Sequence, residues 1–267
     1  MCFPFFLRLA YVGTRFYGWQ IQTTLRSVQG ELWKALRALD PEAPMPQGTG
    51  RTDAGVHARA QGVLVATSRD WEPYRLLAAL NAHLPGDARV MTAEPAPEGF
   101  FPRHHAVAKR YVYKLQEGPS ADPFLRDRAW HQYGKEPLDR EAMAQAAAHL
   151  VGDHDFSSFR ASECSAKTTT RILFKVELLD LGAAMDLVFE GNRFLMHQVR
   201  IMTGTLVDVG RGRKSPDSIP GILDARDRRE SGISAPAHGL YMDQVWYQRR
   251  WGIGEASPWP EPMESEA

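Results

Sequence analysis

The chain has 267 residues, 43% of them apolar and 10% aromatic, with 32 Lys and Arg against 32 Asp and Glu, so its formal net charge is zero. That is ample for a buried core in one large domain or two small ones, while balanced charge argues by itself against a general nucleic-acid binder. No stretch approaches the ~18 to 20 uninterrupted apolar residues of a membrane helix, which excludes a helical span.

Residues 3 to 11 read as an opening strand whose apolar start, cut by Pro4 and Arg8, is too short for a signal sequence. Cys2 and Cys164 have no CxxC spacing, so neither a disulfide framework nor a cysteine zinc site is indicated, and a reducing, cytoplasmic compartment is expected. Gly13 to Gln22 reads as a loop. Behind Ser27, a candidate N-cap, Val28, Leu32, Ala35, Leu36 and Leu39 recur at helical spacing, and Pro41, Pro44 and Pro46 stop that helix. A Gly-rich loop follows, then a strand over Gln61 to Ala66, a short helix opened by Pro73, and a strand near Arg89 to Thr92. In "KRYVYKL" (109 to 115), Tyr111, Tyr113 and Leu115 share one face at period two, and Arg110, Val112 and Lys114 the other. The second half repeats this vocabulary: a helix at 138 to 150, strands near 171 to 181 and 184 to 190, a helix from about Phe194 to Val209, and a last strand near 239 to 247. Helices alternating with hairpins predict an α+β fold, and two similar halves suggest a central cleft. The halves are expected at 1–106 and 107–250, with a disordered Pro- and acid-rich tail, 251–267.

Charge is unevenly spread. Setting aside Glu255, Glu261, Glu264 and Glu266 in the tail leaves 32 bases against 28 acids, and residues 101 to 116 hold Arg103, Lys109, Arg110, Lys114, His104 and His105 with no acid. Local basic surface of this kind suits phosphate recognition, and it equally suits solvated strand and loop faces. Trp33, Trp71, Trp130 and Trp246 sit among apolar neighbours and are expected in the core. Tyr111 follows two bases, the pattern by which an exposed sheet face grips unstacked bases.

The densest motif is "GTGRTDAGVHARAQG" (48 to 62), a loop with one carboxylate, Asp53, flanked by Arg51 and Arg59. It is neither a P-loop, since no Gly-Lys-Ser/Thr follows, nor a dinucleotide fingerprint, since the glycine spacing and the following helix are missing. No second acid is placed for glycoside hydrolysis. Metal catalysis is not indicated, because His104 and His105 are adjacent and no H-E-x-x-H occurs. Two readings of Asp53 remain: an Asx-turn residue capping its own loop, or a lone carboxylate acting as nucleophile or base.

Six segments in order, "FYGWQ" (16 to 20), "GRTDAGVHA" (50 to 58), "NAHLPGD" (81 to 87), "AKRYVY" (108 to 113), "DFSSF" (155 to 159) and "FLMHQVRIMTG" (194 to 204), resemble the TruA-type family of tRNA pseudouridine(38-40) synthases. The similarity runs to "GLYM" (239 to 242), about nine-tenths of the chain. The resemblance implies isomerisation of uridine to pseudouridine in the anticodon arm, with Asp53 as catalytic aspartate, Tyr111 stacking on the target base, and Arg200 as basic partner of Asp53. Arg51 would hold the flipped-out nucleotide, and Arg15, His57, Arg103, Lys109 and Arg110 would join it in contacting tRNA. It further implies two fused ferredoxin-like halves forming a largely antiparallel sheet around a central active cleft, a homodimer in which one tRNA touches both subunits, and no metal or nucleotide cofactor. The loop glycines would then admit the RNA backbone and its arginines hold phosphates while the base is flipped. Val12, His104 and Ile201 depart from the family pattern, at positions bearing on RNA fit rather than on the catalytic set. A non-catalytic tRNA-binding module would be favoured by loss of Asp53, Tyr111 or Arg200, all of which are present. A single-Asp base-excision hydrolase would instead release free uracil.

Overall fold

The computed structural model describes residues 2–134 and 136–261. The chain divides into two compact units: one runs to Ala108 and resumes at Tyr241, and the other spans Lys109–Leu240.

The first unit opens with β1 (Phe3–Tyr11), α1 (Val28–Leu39), β2 (Gln47–Gly48), β3 (His57–Thr67), α2 (Pro73–His83) and β4 (Ala88–Pro95). β1 lies between β3 and β4 and is antiparallel to both, with Phe5 opposite Val65 and Pro95. The expected caps are present: the Ser27 hydroxyl accepts the Gly30 amide at 3.2 Å, and Pro73 opens α2, where Glu72 accepts the Tyr74 and Arg75 amides. Leu32, Leu36, Leu76 and Leu80, at helical spacing, are buried with Phe5, Leu7, Leu9 and Tyr11 of β1. Phe6, on the other face of β1, is buried too, its ring edge-on to Phe100 at 5.7 Å and to Tyr247 at 5.2 Å. Cover on both faces explains why this strand is almost continuously apolar.

β5 (Ala106–Glu117) carries the chain into the second unit, followed by β6 (Trp130–Gln132), α3 (Arg140–Ala148), β7 (Gly152–Asp155), β8 (Thr170–Asp180), β9 (Ala184–Gly191), α4 (Gln198–Gly210) and α5 (Ser218–Ala225). β9 lies between β5 and β8, antiparallel to both; β7 is antiparallel to β8, and β6 runs parallel beside the end of β5. α3, capped by Asp139 through the Ala142 amide at 2.9 Å, packs on α4 and β8. α4 begins at Gln198 rather than near Phe194, because His197 is left-handed (φ 59°) and the Gln198 side chain accepts the Leu195 amide at 2.8 Å, closing a turn ahead of the helix. With helices beside a mainly antiparallel sheet in each unit, the fold is α+β as the pattern predicts.

Two boundaries differ from the sequence expectation. β10 (Leu240–Tyr247), counted with the second half, pairs parallel with β3, Tyr241 opposite His57, and so folds with the first unit. Its amides and carbonyls there meet a sheet edge that would otherwise lack a partner. The tail from 251 was expected to be disordered, yet its described part, to residue 261, is packed. The Trp251 ring stacks on His105 at 4.3 Å, Ile253 and Ser257 are buried, Ala256 bridges to Tyr247, and the Arg249 amide donates to Glu261 at 2.9 Å. Apolar Trp251 and Ile253 outweigh the acids in placing it. Residues 262–267 lie outside the described residues. Of the four tryptophans expected in the core, Trp246 is buried, while Trp33, Trp71 and Trp130 are half-buried, the first two beneath Arg37 and Arg69; Trp19, outside that set, is also buried.

Candidate active site

The Asp53 loop is held on both sides. On its approach, the Thr49 amide and hydroxyl donate to the Gly62 carbonyl at 2.9 and 3.0 Å, Thr49 Oγ1 also meets the Tyr247 hydroxyl, and Gln61 Nε2 donates to the Gly50 carbonyl at 2.6 Å. At Thr52, just before the acid, the side chain shares a 2.8 Å hydrogen bond with the Tyr11 hydroxyl and the carbonyl accepts the Trp19 amide at 3.1 Å. Beyond the acid, Val56 N donates to Asp53 O at 3.2 Å, Gly55 takes φ 81°, and its amide donates to Phe16 O at 3.2 Å. Burial pushes the Tyr11 and Tyr247 hydroxyls well above the ordinary tyrosine range, so both stay neutral around the loop.

Glycine is needed here for contacts within the protein. A Cβ on Gly13 would stand 2.0 Å from Val56 O, one on Gly18 (φ 82°) 2.5 Å from Thr52 O, and one on Gly48 2.6 Å from the Trp19 ring. The "FYGWQ" segment is thus zipped against the acid-bearing loop. It is anchored in turn by Arg26, which donates to both Asp87 oxygens at 2.8 Å and covers the Phe16 ring at 4.2 Å. Asp53 itself is partly exposed at the tip of this assembly.

The remaining expected site residues have varied surroundings. Arg15, Arg51 and Arg103 are exposed, as phosphate contact requires. Arg59 pairs with Asp243 at 3.1 Å and lies over the Tyr241 ring at 5.6 Å. His57, expected to touch tRNA, is instead 1% exposed: its Nδ1 accepts the Gly13 amide at 3.0 Å and its ring stacks on Tyr241 at 4.5 Å. Pointing inward from β3, it positions the loop. Lys109 is partly exposed, and Arg110 is tied to the buried Glu190 at 2.6 Å, as is Lys114 to Asp186 at 2.8 Å. Acids of β9 therefore balance the basic face of β5, which the local sequence did not disclose. His105, packed under Trp251, has its pKa lowered chiefly by burial and then by neighbouring Arg250 and His104.

In the second unit, Tyr111 is 9% exposed, not an open platform, and its ring stands edge-on to Phe194 at 5.0 Å. Arg200 is in the first turn of α4, half-buried on a largely apolar helix, with Nε donating to the Ala235 carbonyl at 2.7 Å; the Ala235 amide returns a bond to the Arg200 carbonyl at 3.0 Å. Its charge acts on the nearby Tyr113 hydroxyl, whose pKa burial nonetheless drives upward. Ile201, a departure from the family pattern, is buried, Val12 is partly buried, and His104 is exposed. Tyr11, Thr49, Thr52 and Tyr247 frame the loop and are not singled out by the sequence; only the expected strand ending at Tyr11 touches any of them. Among the described residues, no three His, Cys, Asp or Glu side chains gather as a metal site would require.

A family model described as tRNA pseudouridine synthase matches residues 9–102 and 146–248, taking in the Asp53 loop and α4. The chain is 42% identical over 242 residues to tRNA pseudouridine synthase A of Caulobacter vibrioides, covering 90% of this chain and 97% of that protein. It is 41% identical over 245 residues to the protein of the same name from Citrifermentans bemidjiense (91% and 97%), and 42% over 242 residues to that of Azorhizobium caulinodans (90% and 93%).

Proposed function

We infer the chemistry of the site from one premise: the chain belongs to the tRNA pseudouridine synthase family, and it isomerises uridine to pseudouridine in tRNA. The reaction breaks the N1–C1′ bond, turns the uracil, and joins C5 to C1′, with C5 losing a proton and N1 gaining one. We propose that Asp53 supplies the ionised oxygen that attacks the sugar or removes a proton from it. The observation behind this assignment is that a lone carboxylate occupies the tip of a loop fixed immediately before it, through Thr52, and immediately after it, through Gly55 and Val56. Such a frame aims the acid with little reorganisation.

Tyr111 supports the uracil and Arg200 is the basic partner of Asp53, on the strength of the family resemblance. The exposed Arg15, Arg51 and Arg103 take phosphates. A target stacked in the anticodon arm is extruded first, which costs a few kcal/mol. The protein acts as a cytoplasmic homodimer with one tRNA touching both subunits, and light scattering with and without tRNA checks that stoichiometry. Chemical derivatisation and sequencing of tRNA from cells with and without the protein tests the target. Loss of pseudouridine confined to the anticodon arm is expected; loss elsewhere, with that arm intact, would overturn the assignment.

A further inference from the structure

A second feature of the Lys109–Leu240 unit is absorbed by none of these roles. A cavity of about 350 Å³ opens beside β6 and the end of α4, lined by Trp130, Gln132, Tyr133, Asp208, Arg211 and Ile233 among others. Two glycines let the segments around it pack closely. A Cβ on Gly134 would stand 2.4 Å from Arg211 Nη1, and one on Gly204 1.9 Å from Ile233 O. Its charged lining is Asp208, Arg211 and Arg213, two cations against one acid. Arg213 pairs with Asp208 at 3.2 Å. Arg211 donates only to neutral oxygens, Tyr133 O at 2.6 Å and Gln132 Oε1 at 3.3 Å, through Nη2; its Nη1 and Nε have no protein acceptor among the described residues. Both arginines follow the C-terminus of α4, whose dipole offers about half a negative charge, so a positive surplus remains. At the rim stand Tyr133, 68% exposed, and Ile233, 61% exposed.

An uncompensated guanidinium held in place beside an open aromatic ring is the combination that grips a nucleotide, phosphate on the cation and base on the ring. We propose that this cavity is a subsite for a nucleotide of the substrate RNA other than the reacting uridine, with a backbone phosphate on Arg211 and a base stacked on Tyr133. The proposal rests on the tRNA reading above. Arg200 and Arg211 lie at opposite ends of α4, roughly 16 Å apart along its axis, the length of about five stacked nucleotides. The cavity would thus read the RNA away from the base being isomerised.

The test is tRNA binding by Arg211→Gln, Arg211→Lys and Tyr133→Ala proteins across a salt series, with KM and single-turnover rate alongside. Arg211→Gln should lower the slope of log Kd against log salt by about 0.7 to 0.9, one phosphate contact, and Arg211→Lys should restore it. Tyr133→Ala should weaken binding by about 5- to 150-fold with the slope unchanged, and raise KM far more than it lowers the rate at saturating tRNA. Because Tyr133 is exposed, that variant carries the test even if Arg211→Gln folds poorly. Wild-type affinity in Tyr133→Ala, or a wild-type slope in folded Arg211→Gln, would overturn the subsite. So would inorganic phosphate binding that Arg211→Gln abolishes without affecting tRNA, which marks a free-anion site, or a change of oligomeric state with tRNA affinity intact, which marks a protein interface. If the unmodified protein forms no pseudouridine, the tRNA reading fails; if it does and the variants bind normally, the subsite alone fails.

Discussion

Gly18 and Thr52 touch backbone to backbone: Gly18 takes φ 82°, and a Cβ built on it would lie 2.5 Å from the Thr52 carbonyl oxygen, one residue before Asp53. Gly18→Ala should therefore push the two segments apart. A stability loss of about 1 to 3 kcal/mol is expected from the strained backbone and the displaced contact together. Thermal unfolding and single-turnover kinetics check this; activity should fall by more than the loss of folded protein explains.

The Arg26–Asp87 pair supports the same segment from behind. Arg26 holds the Asp87 carboxyl below the usual aspartate range, mainly through their hydrogen bonds. A depressed native pKa means that this stability is fully present above pH ~4 and is lost as pH falls through the native value. Asp87→Asn should cost about 1 to 3 kcal/mol at neutral pH and flatten the acid side of the stability profile. Denaturant unfolding from pH 7 down to about pH 3 measures both effects.

For Tyr111, ring support and hydroxyl chemistry give different orders of variants. If the ring supports the base, Tyr111→Phe keeps the π-face and retains much more activity than Tyr111→Leu, stacking being worth about 1 to 3 kcal/mol. The edge contact with Phe194 is also kept by phenylalanine. Equal single-turnover defects in the two, with tRNA binding intact, would assign the role to the hydroxyl.

Arg200 is expected to be indispensable as a cation. Arg200→Met should abolish most activity and lower stability, since it also removes the bond to Ala235. Arg200→Lys keeps the charge without the planar fork and should be intermediate. Identical defects in both variants would show that geometry at Ala235, not charge, sets the rate.

Much of this was legible because local chemistry and tertiary contact agree. Ser27 and Pro73 mark helix starts, the apolar run from Phe3 marks β1, and the single acid in "GRTDAG" marks the loop. Nothing in the sequence marks α5 clearly, because Pro220 and Gly221 interrupt its helical spacing. The surroundings of His57, Arg110 and Tyr111, given tRNA-facing roles by the family resemblance, are not legible locally for a different reason. Their surroundings come from Gly13 and Tyr241, from Glu190, and from Phe194, all remote in the chain. The tail was misread because its acids are more conspicuous than Trp251 and Ile253, which place it.

The most direct test of the central assignment is tritium release from C5-labelled uridine in tRNA by Asp53→Asn protein. The swap is nearly isosteric and leaves the backbone frame of Thr52, Gly55 and Val56 in place, so folding and tRNA binding should persist. With no ionised oxygen to act on the sugar, release should fall to background. Turnover within a few-fold of the unmodified protein would contradict the role given to Asp53.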